Sequence, residues 1–141
     1  MTKKYGVTSC MTVKHRHFMV IATFKETPFI SEKFTNEWIG ELVEDIDMEV
    51  LNEPCSVHCD KKGNEGISSF CLITTSHISL HSWEALEPNL VQLDVYSCKE
   101  FDTEIVLNKL REFGPITIGS KFLNRSIRAT RGWIMFEDGM G

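Results

Sequence analysis

At 141 residues the chain is long enough for one domain that buries about two-thirds of its unfolded surface. Hydrophobic residues at 42% and charged residues at 25% are ordinary globular values, and a net charge of −5 argues against nucleic acid or an anionic membrane as the main partner. No apolar run nears the roughly 18 residues that span a bilayer, and none follows the N-terminal Met-Thr-Lys-Lys-Tyr-Gly, so neither a membrane segment nor a signal peptide is expected.

Residues 17–24 form an apolar strand candidate, with Phe18, Val20 and Ala22 alternating against Met19, Ile21 and Thr23. Pro28 and Ser31 offer helix starts. From Phe34 the apolar positions Trp38, Ile39, Leu42, Val43, Ile46 and Val50 keep helical spacing, with Glu37, Glu41, Glu44 and Asp45 on the opposite face. Trp38 reads as a core residue on that stripe. Residues 50–59 carry Pro54 and predict a short edge strand, because proline removes a ladder donor. A polar turn with Gly63 and Gly66 follows, then a strand over 67–75.

Residues 77–83 alternate again. His77, Ser79, His81 and Trp83 fall on one side, Ile78, Leu80 and Ser82 on the other. After a loop carrying Pro88, residues 91–98 alternate with Val91, Leu93 and Val95 facing one way. Asp102 caps a second helix that runs to Phe113, with Ile105, Val106, Leu107 and Leu110 as its core stripe and Gly114-Pro115 as its stop. A strand begins at 116–118, the pattern then weakens, and one more strand is expected over 131–136. Two helices among about six strands, without repeat or linker, predict a single α+β domain over 1–141. Its architecture is a two-layer α/β sandwich, a mostly antiparallel sheet with both helices on one face.

Five cysteines without framework spacing, beside six methionines, predict reduced thiols and a cytoplasmic setting. The basic residues Lys121, Arg125, Arg128 and Arg131 read as a solvated face. Cys55-x3-Cys59 with His77-x3-His81 imitates a zinc pattern, but in a strand the two histidines stand about 13 Å apart, too far for one ion, so no metal is expected. Ser68, Ser76, Ser79, His77 and His81 gather around two paired strands. They lack a Gly-x-Ser-x-Gly elbow, and on pattern alone they read as hydroxyls satisfying strand edges rather than as a Ser–His nucleophile pair. Cys98 ends a strand and reads either as a buried structural thiol or as an acid or nucleophile at the open end of a sheet.

The stretch Ser76-His-Ile-Ser-Leu-His81-Ser-Trp83-Glu84, followed by Leu93-Asp-Val-Tyr-Ser-Cys98, resembles the short prokaryotic S-adenosylmethionine decarboxylases. Those proenzymes carry a Ser-His-x-x-x-His-Thr-Trp-type core and a downstream Asp-x-Phe-Thr-Cys strand. Gly66-Ile-Ser68 resembles their Gly-x-Ser segment, eight residues before the modified serine. The resemblance implies a self-cleaving, pyruvoyl-dependent carboxy-lyase. Ser76 would attack the Thr75 carbonyl, splitting the chain into residues 1–75, the β chain, and 76–141, the α chain headed by a pyruvoyl group made from Ser76. It implies that Ser68 and His81 assist processing, that Cys98 is the proton donor in turnover, and that Trp83 and Glu84 contact the adenine and ribose of the substrate. The pyruvoyl carbonyl would take the substrate amine as a Schiff base and act as an electron sink. It further implies a homodimer of αβ protomers, with sites at or near the interface, supplying decarboxylated S-adenosylmethionine for spermidine synthesis.

The chain departs from the family pattern in several places, among them a loop from Trp83 to Cys98 about two residues longer than usual. Thr75 stands where the family has glutamate, Trp83-Glu84-Ala85 replaces Trp-Pro-Glu, and residues 60–65 hold no aromatic to match the family's adenine-stacking residue. A pyruvoyl decarboxylase of ornithine or arginine, and an unprocessed non-catalytic homologue, are therefore the alternatives.

Overall fold

The computed structural model describes residues 15–126 and 131–137. The order is β1 (Arg16–Phe24), α1 (Glu32–Asp45), β2 (Cys55–Cys59), β3 (Gly66–Ile73), β4 (Ser76–Trp83), β5 (Asn89–Ser97), α2 (Thr103–Arg111) and β6 (Thr117–Asn124). The strands form one sheet in the order β2-β3-β4-β5-β1-β6, and every neighbouring pair is antiparallel. Among the described residues, no helix is long and apolar enough to cross a membrane.

Period-two alternation decides which face of the sheet is covered. Phe18, Val20, Ala22, Ile78, Leu80, Val91, Leu93 and Val95 are buried in one core together with Trp38, Ile39, Leu42 and Val43 of α1 and Val106, Leu107 and Leu110 of α2. Both helices therefore lie on one face, as the α+β sandwich requires. Ser31 caps α1, its hydroxyl accepting from Phe34 N–H, and Asp102 caps α2, its carboxylate accepting from Glu104 N–H. Lys109 of α2 ties the helices together, reaching Asp45 at 2.9 Å and Glu41 at 3.4 Å.

Among the described residues, the opposite face carries no helix. Register places Ser68, Phe70 and Leu72 of β3 beside His81, Ser79 and His77 of β4, and Gln92, Asp94 and Tyr96 of β5 beyond them. Several apolar side chains on this face are solvent-exposed: Ile21 at 47%, Val57 at 58%, Phe70 at 46% and Leu72 at 39%. His77 stacks on Phe70 with ring centroids 5.3 Å apart. Burial, then the neighbouring His17, pushes the His77 imidazole below its ordinary pKa.

Three sequence expectations need correction. The stripe from Phe34 predicts helix as far as Val50, but α1 ends at Asp45, because Asp47 turns the chain with φ 60°; Val50 instead forms a bridge to Ile73. The last strand is longer than 116–118 and runs to Asn124; as an edge strand it is mostly exposed, so it shows no apolar alternation. Residues 131–136 form a turn and irregular chain rather than a strand, with Ile134 81% exposed. Of the basic residues, Arg125 lies over the Tyr96 ring at 4.4 Å and Lys121 is exposed, while Arg128 lies outside the described residues.

Candidate active site

Strands β3 and β4 are joined by a two-residue bend, Thr74-Thr75, closed by the Ile73–Ser76 pair. Ser76, the first residue of β4, has φ 150°, one of two non-glycine residues at positive φ among the described residues. A side chain held there stores backbone strain. The Thr75 carbonyl, which precedes Ser76, accepts the Cys98 N–H at 3.0 Å. The Thr75 hydroxyl is held as well. It donates to Met48 Sδ at 3.1 Å and accepts from Ser97 Oγ at 3.0 Å. Thr75, Ser76 and Cys98 thus meet at one end of the sheet, because β5 pairs with β4 so that Ser97 stands opposite Ser76.

Ser68 and His81 meet elsewhere. They are direct partners in the β3–β4 ladder, and Ser68 Oγ lies 2.9 Å from His81 Nδ1. Both side chains are exposed on the helix-free face. Trp83 lies beside them, its ring 5.8 Å from that of His81 and its Nε1 donating to Asn64 Oδ1 at 2.9 Å. Asn64, Gly66, Ser68, His81 and Trp83 line a small cavity of about 190 Å³. Gly66 is required here. Its φ is +152°, and a Cβ would stand 1.6 Å from the Ser82 carbonyl oxygen, so only glycine lets β3 approach β4 this closely.

These two clusters are not in contact within one chain. His81 is five residues along β4 from Ser76, which at about 3.3 Å per residue is about 16 Å. The His81 side chain also projects from the helix-free face, whereas Ser76 shares the parity of the core-facing Ile78 and Leu80.

Glu84 joins neither cluster. Its carboxylate pairs with His58 Nε2 at 2.5 Å, and His58 stands opposite the buried Ile67, on the helix side of the sheet. Residues that the motifs did not single out are Ser97, Met48, Asn64 and the exposed Phe70. Ser97 did leave a signal, since it is a hydroxyl continuing the apolar positions Val91, Leu93 and Val95. A cleft of about 1070 Å³ between α1 and residues 48–54 is bordered by Glu37, Glu41, Glu44, Glu49 and Glu53 and holds none of the predicted site residues.

The S-adenosylmethionine decarboxylase family model matches residues 19–126, from within β1 to just past β6. A match of that extent, over a sheet of this topology, makes the protein one of the carboxy-lyases. The chain belongs to the S-adenosylmethionine decarboxylase family. Its fold is similar to the crystal structure of the adenosylmethionine decarboxylase from Aquifex aeolicus VF5, with a TM-score of 0.65 and 18% sequence identity over 82% of this chain and 92% of that one. No curated protein sequence matches it. Members of the family are generally pyruvoyl-dependent. The residues at the bend suit such a group: a serine in strained backbone follows a carbonyl that already has an N–H donor.

Proposed function

We propose that this protein decarboxylates S-adenosylmethionine, and that it makes its own pyruvoyl group by cutting itself between Thr75 and Ser76. The observation that carries this reading is the strained Ser76 backbone next to the hydrogen-bonded Thr75 carbonyl. Ser76 Oγ adds to the Thr75 carbonyl carbon and gives up its proton to a base. The negative charge that develops on the carbonyl oxygen meets the Cys98 N–H, already 3.0 Å away. The carbon–nitrogen bond then breaks, the Ser76 amine takes a proton, and Thr75 is left as an ester on Ser76 Oγ. Rotation out of the strained φ accompanies this shift and relieves the strain. Removal of the residue 76 Cα proton expels the Thr75 carboxylate, and hydrolysis releases ammonia. Residues 1–75 become the β chain and 76–141 the α chain. The pyruvoyl group supplies an electrophilic carbonyl and an electron sink for loss of carbon dioxide. The Cys98 thiol, one residue beyond the strand position opposite Ser76, is the acid that protonates the substrate α-carbon.

The Ser68–His81 pair is the processing base, and it serves the Thr75–Ser76 bond of a second copy. Its separation from its own chain's bond and its outward exposure support that assignment. The exposed Ile21, Val57, Phe70 and Leu72 on the same face suit a homodimer of αβ protomers joined through the helix-free side. Trp83, beside the pair, is the aromatic that meets the adenine. The product is the aminopropyl donor for spermidine synthesis in the cytoplasm.

One observation favours a second reading. Glu84, the ribose candidate, is engaged by His58 on the other side of the sheet, which fits a pyruvoyl decarboxylase of ornithine or arginine better than a nucleoside-binding one. Carbon dioxide release from carboxyl-labelled substrates separates the two. Release from S-adenosylmethionine, with none from ornithine or arginine, is expected; release from a basic amino acid alone would establish the second reading.

A further inference from the structure

We infer that Ser97 is a positioning residue for chain cleavage, acting through the Thr75 hydroxyl to hold the Thr75 carbonyl against the Cys98 N–H. The inference rests on Thr75–Ser76 being the bond that is cut.

Ser97 is fully buried, and its side chain continues the apolar stripe of β5 into the core. A hydroxyl in such a place is costly unless it is bonded. Its partners lie at the bend. Ser97 Oγ donates to Thr75 Oγ1 at 3.0 Å and accepts from Lys99 N–H at 2.9 Å. The Lys99 ammonium reaches back to the turn before β2, donating to the Asp47 carbonyl at 2.7 Å and lying 3.3 Å from the Asp47 carboxylate. That turn presents Met48, whose Sδ accepts from the Thr75 hydroxyl. Thr75 is thus gripped from two sides by its side chain, and its carbonyl is bonded on a third.

The grip matters because Thr75 is the residue being attacked. A threonine has a stiff χ1, so fixing its hydroxyl fixes Cβ and the orientation of the adjoining carbonyl. Of the two side-chain partners, the thioether is the weaker hydrogen-bonding group, so Ser97 contributes most of the restraint. The family resemblance puts glutamate at this position. Here a short neutral side chain fits between Ser97 and Met48, and orientation comes from the hydroxyl rather than from a carboxylate.

The test follows cleavage of the full chain over time by denaturing gel and intact mass, with the Ser76→Ala background supplying uncut protein for thermal melting. Ser97→Ala is expected to slow cleavage about tenfold or more, the scale on which small misplacements of reacting groups act. Ser97→Thr, which keeps the hydroxyl, is expected to restore the wild-type rate. Thr75→Val, which removes the other end of the same bond, is expected to slow cleavage as Ser97→Ala does, and the two together to be no slower than either alone. Thr75 is only half-buried, so Thr75→Val carries the test if Ser97→Ala does not fold. Wild-type cleavage with an equally fast Ser97→Ala or Thr75→Val overturns the positioning role and leaves self-cleavage standing. A folded Ser97→Thr that stays slow also overturns it. A wild-type chain that never cuts removes the cleavage reading, and this inference with it.

Discussion

His81→Ala chains are expected to stay uncut when made alone and to be cut when co-expressed with Ser76→Ala chains. The reason is the geometry of β4. Ser76 and His81 are ends of one straight segment, about 16 Å apart by strand rise, and their side chains leave opposite faces. A strand does not fold back within five residues, so the imidazole of one chain does not reach the bond of that same chain. In a mixed dimer the Ser76→Ala protomer contributes an intact Ser68–His81 pair, and the His81→Ala protomer contributes an intact Thr75–Ser76 bond. Alone, His81→Ala would lose the proposed base, an effect on the order of 10²–10⁴ in rate. Two differently tagged chains, purified as mixed dimers and resolved on a denaturing gel, give the result. Failure of the mixture to cut the His81→Ala chain would show that each chain uses its own histidine. Cleavage of His81→Ala alone at the wild-type rate would remove His81 from processing.

Cys98→Ala is expected to be cut normally and then to fail in turnover, with kcat for decarboxylation down on the order of 10²–10⁴. The proposed mechanism uses two separate groups of this residue. Its backbone N–H donates to the Thr75 carbonyl, where it would support the charge that develops in the proposed cleavage, and alanine keeps that N–H. Its thiol is the proposed acid for the substrate α-carbon, and alanine lacks it. The gel is therefore expected to show two fragments, while loss of carbon dioxide from the substrate is followed by wrong protonation of its α-carbon, or by no product release at all. Unchanged product formation would exclude the thiol as the proton donor. Loss of cleavage itself would mean that the thiol, rather than the amide, serves the bend.

Much of this fold is legible in the sequence because its signals are local. The caps at Ser31 and Asp102 announce both helices, and the alternation of β4 and β5 sorts buried from exposed side chains residue by residue. The end of α1 is not legible, since the apolar spacing continues to Val50 after the backbone has turned at Asp47. The full length of β6 is hidden because an exposed edge strand needs no apolar stripe.

The site is legible as a set of residues but not as an arrangement. Between Thr74 and Glu84 the alternation sorts the faces, but the distance between Ser76 and His81 and the placement of Glu84 are not evident from their closeness in sequence. The strand places Thr75 and Ser76 at one end, His81 and Trp83 on the outward face, and Glu84 against His58 on the helix side. Closeness in sequence is a poor guide along a strand, where each residue adds about 3.3 Å and reverses face. Ser97 shows the converse. It is 21 positions from Ser76 in the chain and directly opposite it in the ladder, a neighbour that only the pairing of β4 with β5 reveals.

Self-conversion of Ser76 is tested most directly by the intact mass of the purified protein under denaturing conditions. Two polypeptides are predicted, residues 1–75 and residues 76–141, the second with a pyruvoyl group in place of its N-terminal serine and no free α-amine. A single unbroken chain of 16.2 kDa would contradict the account.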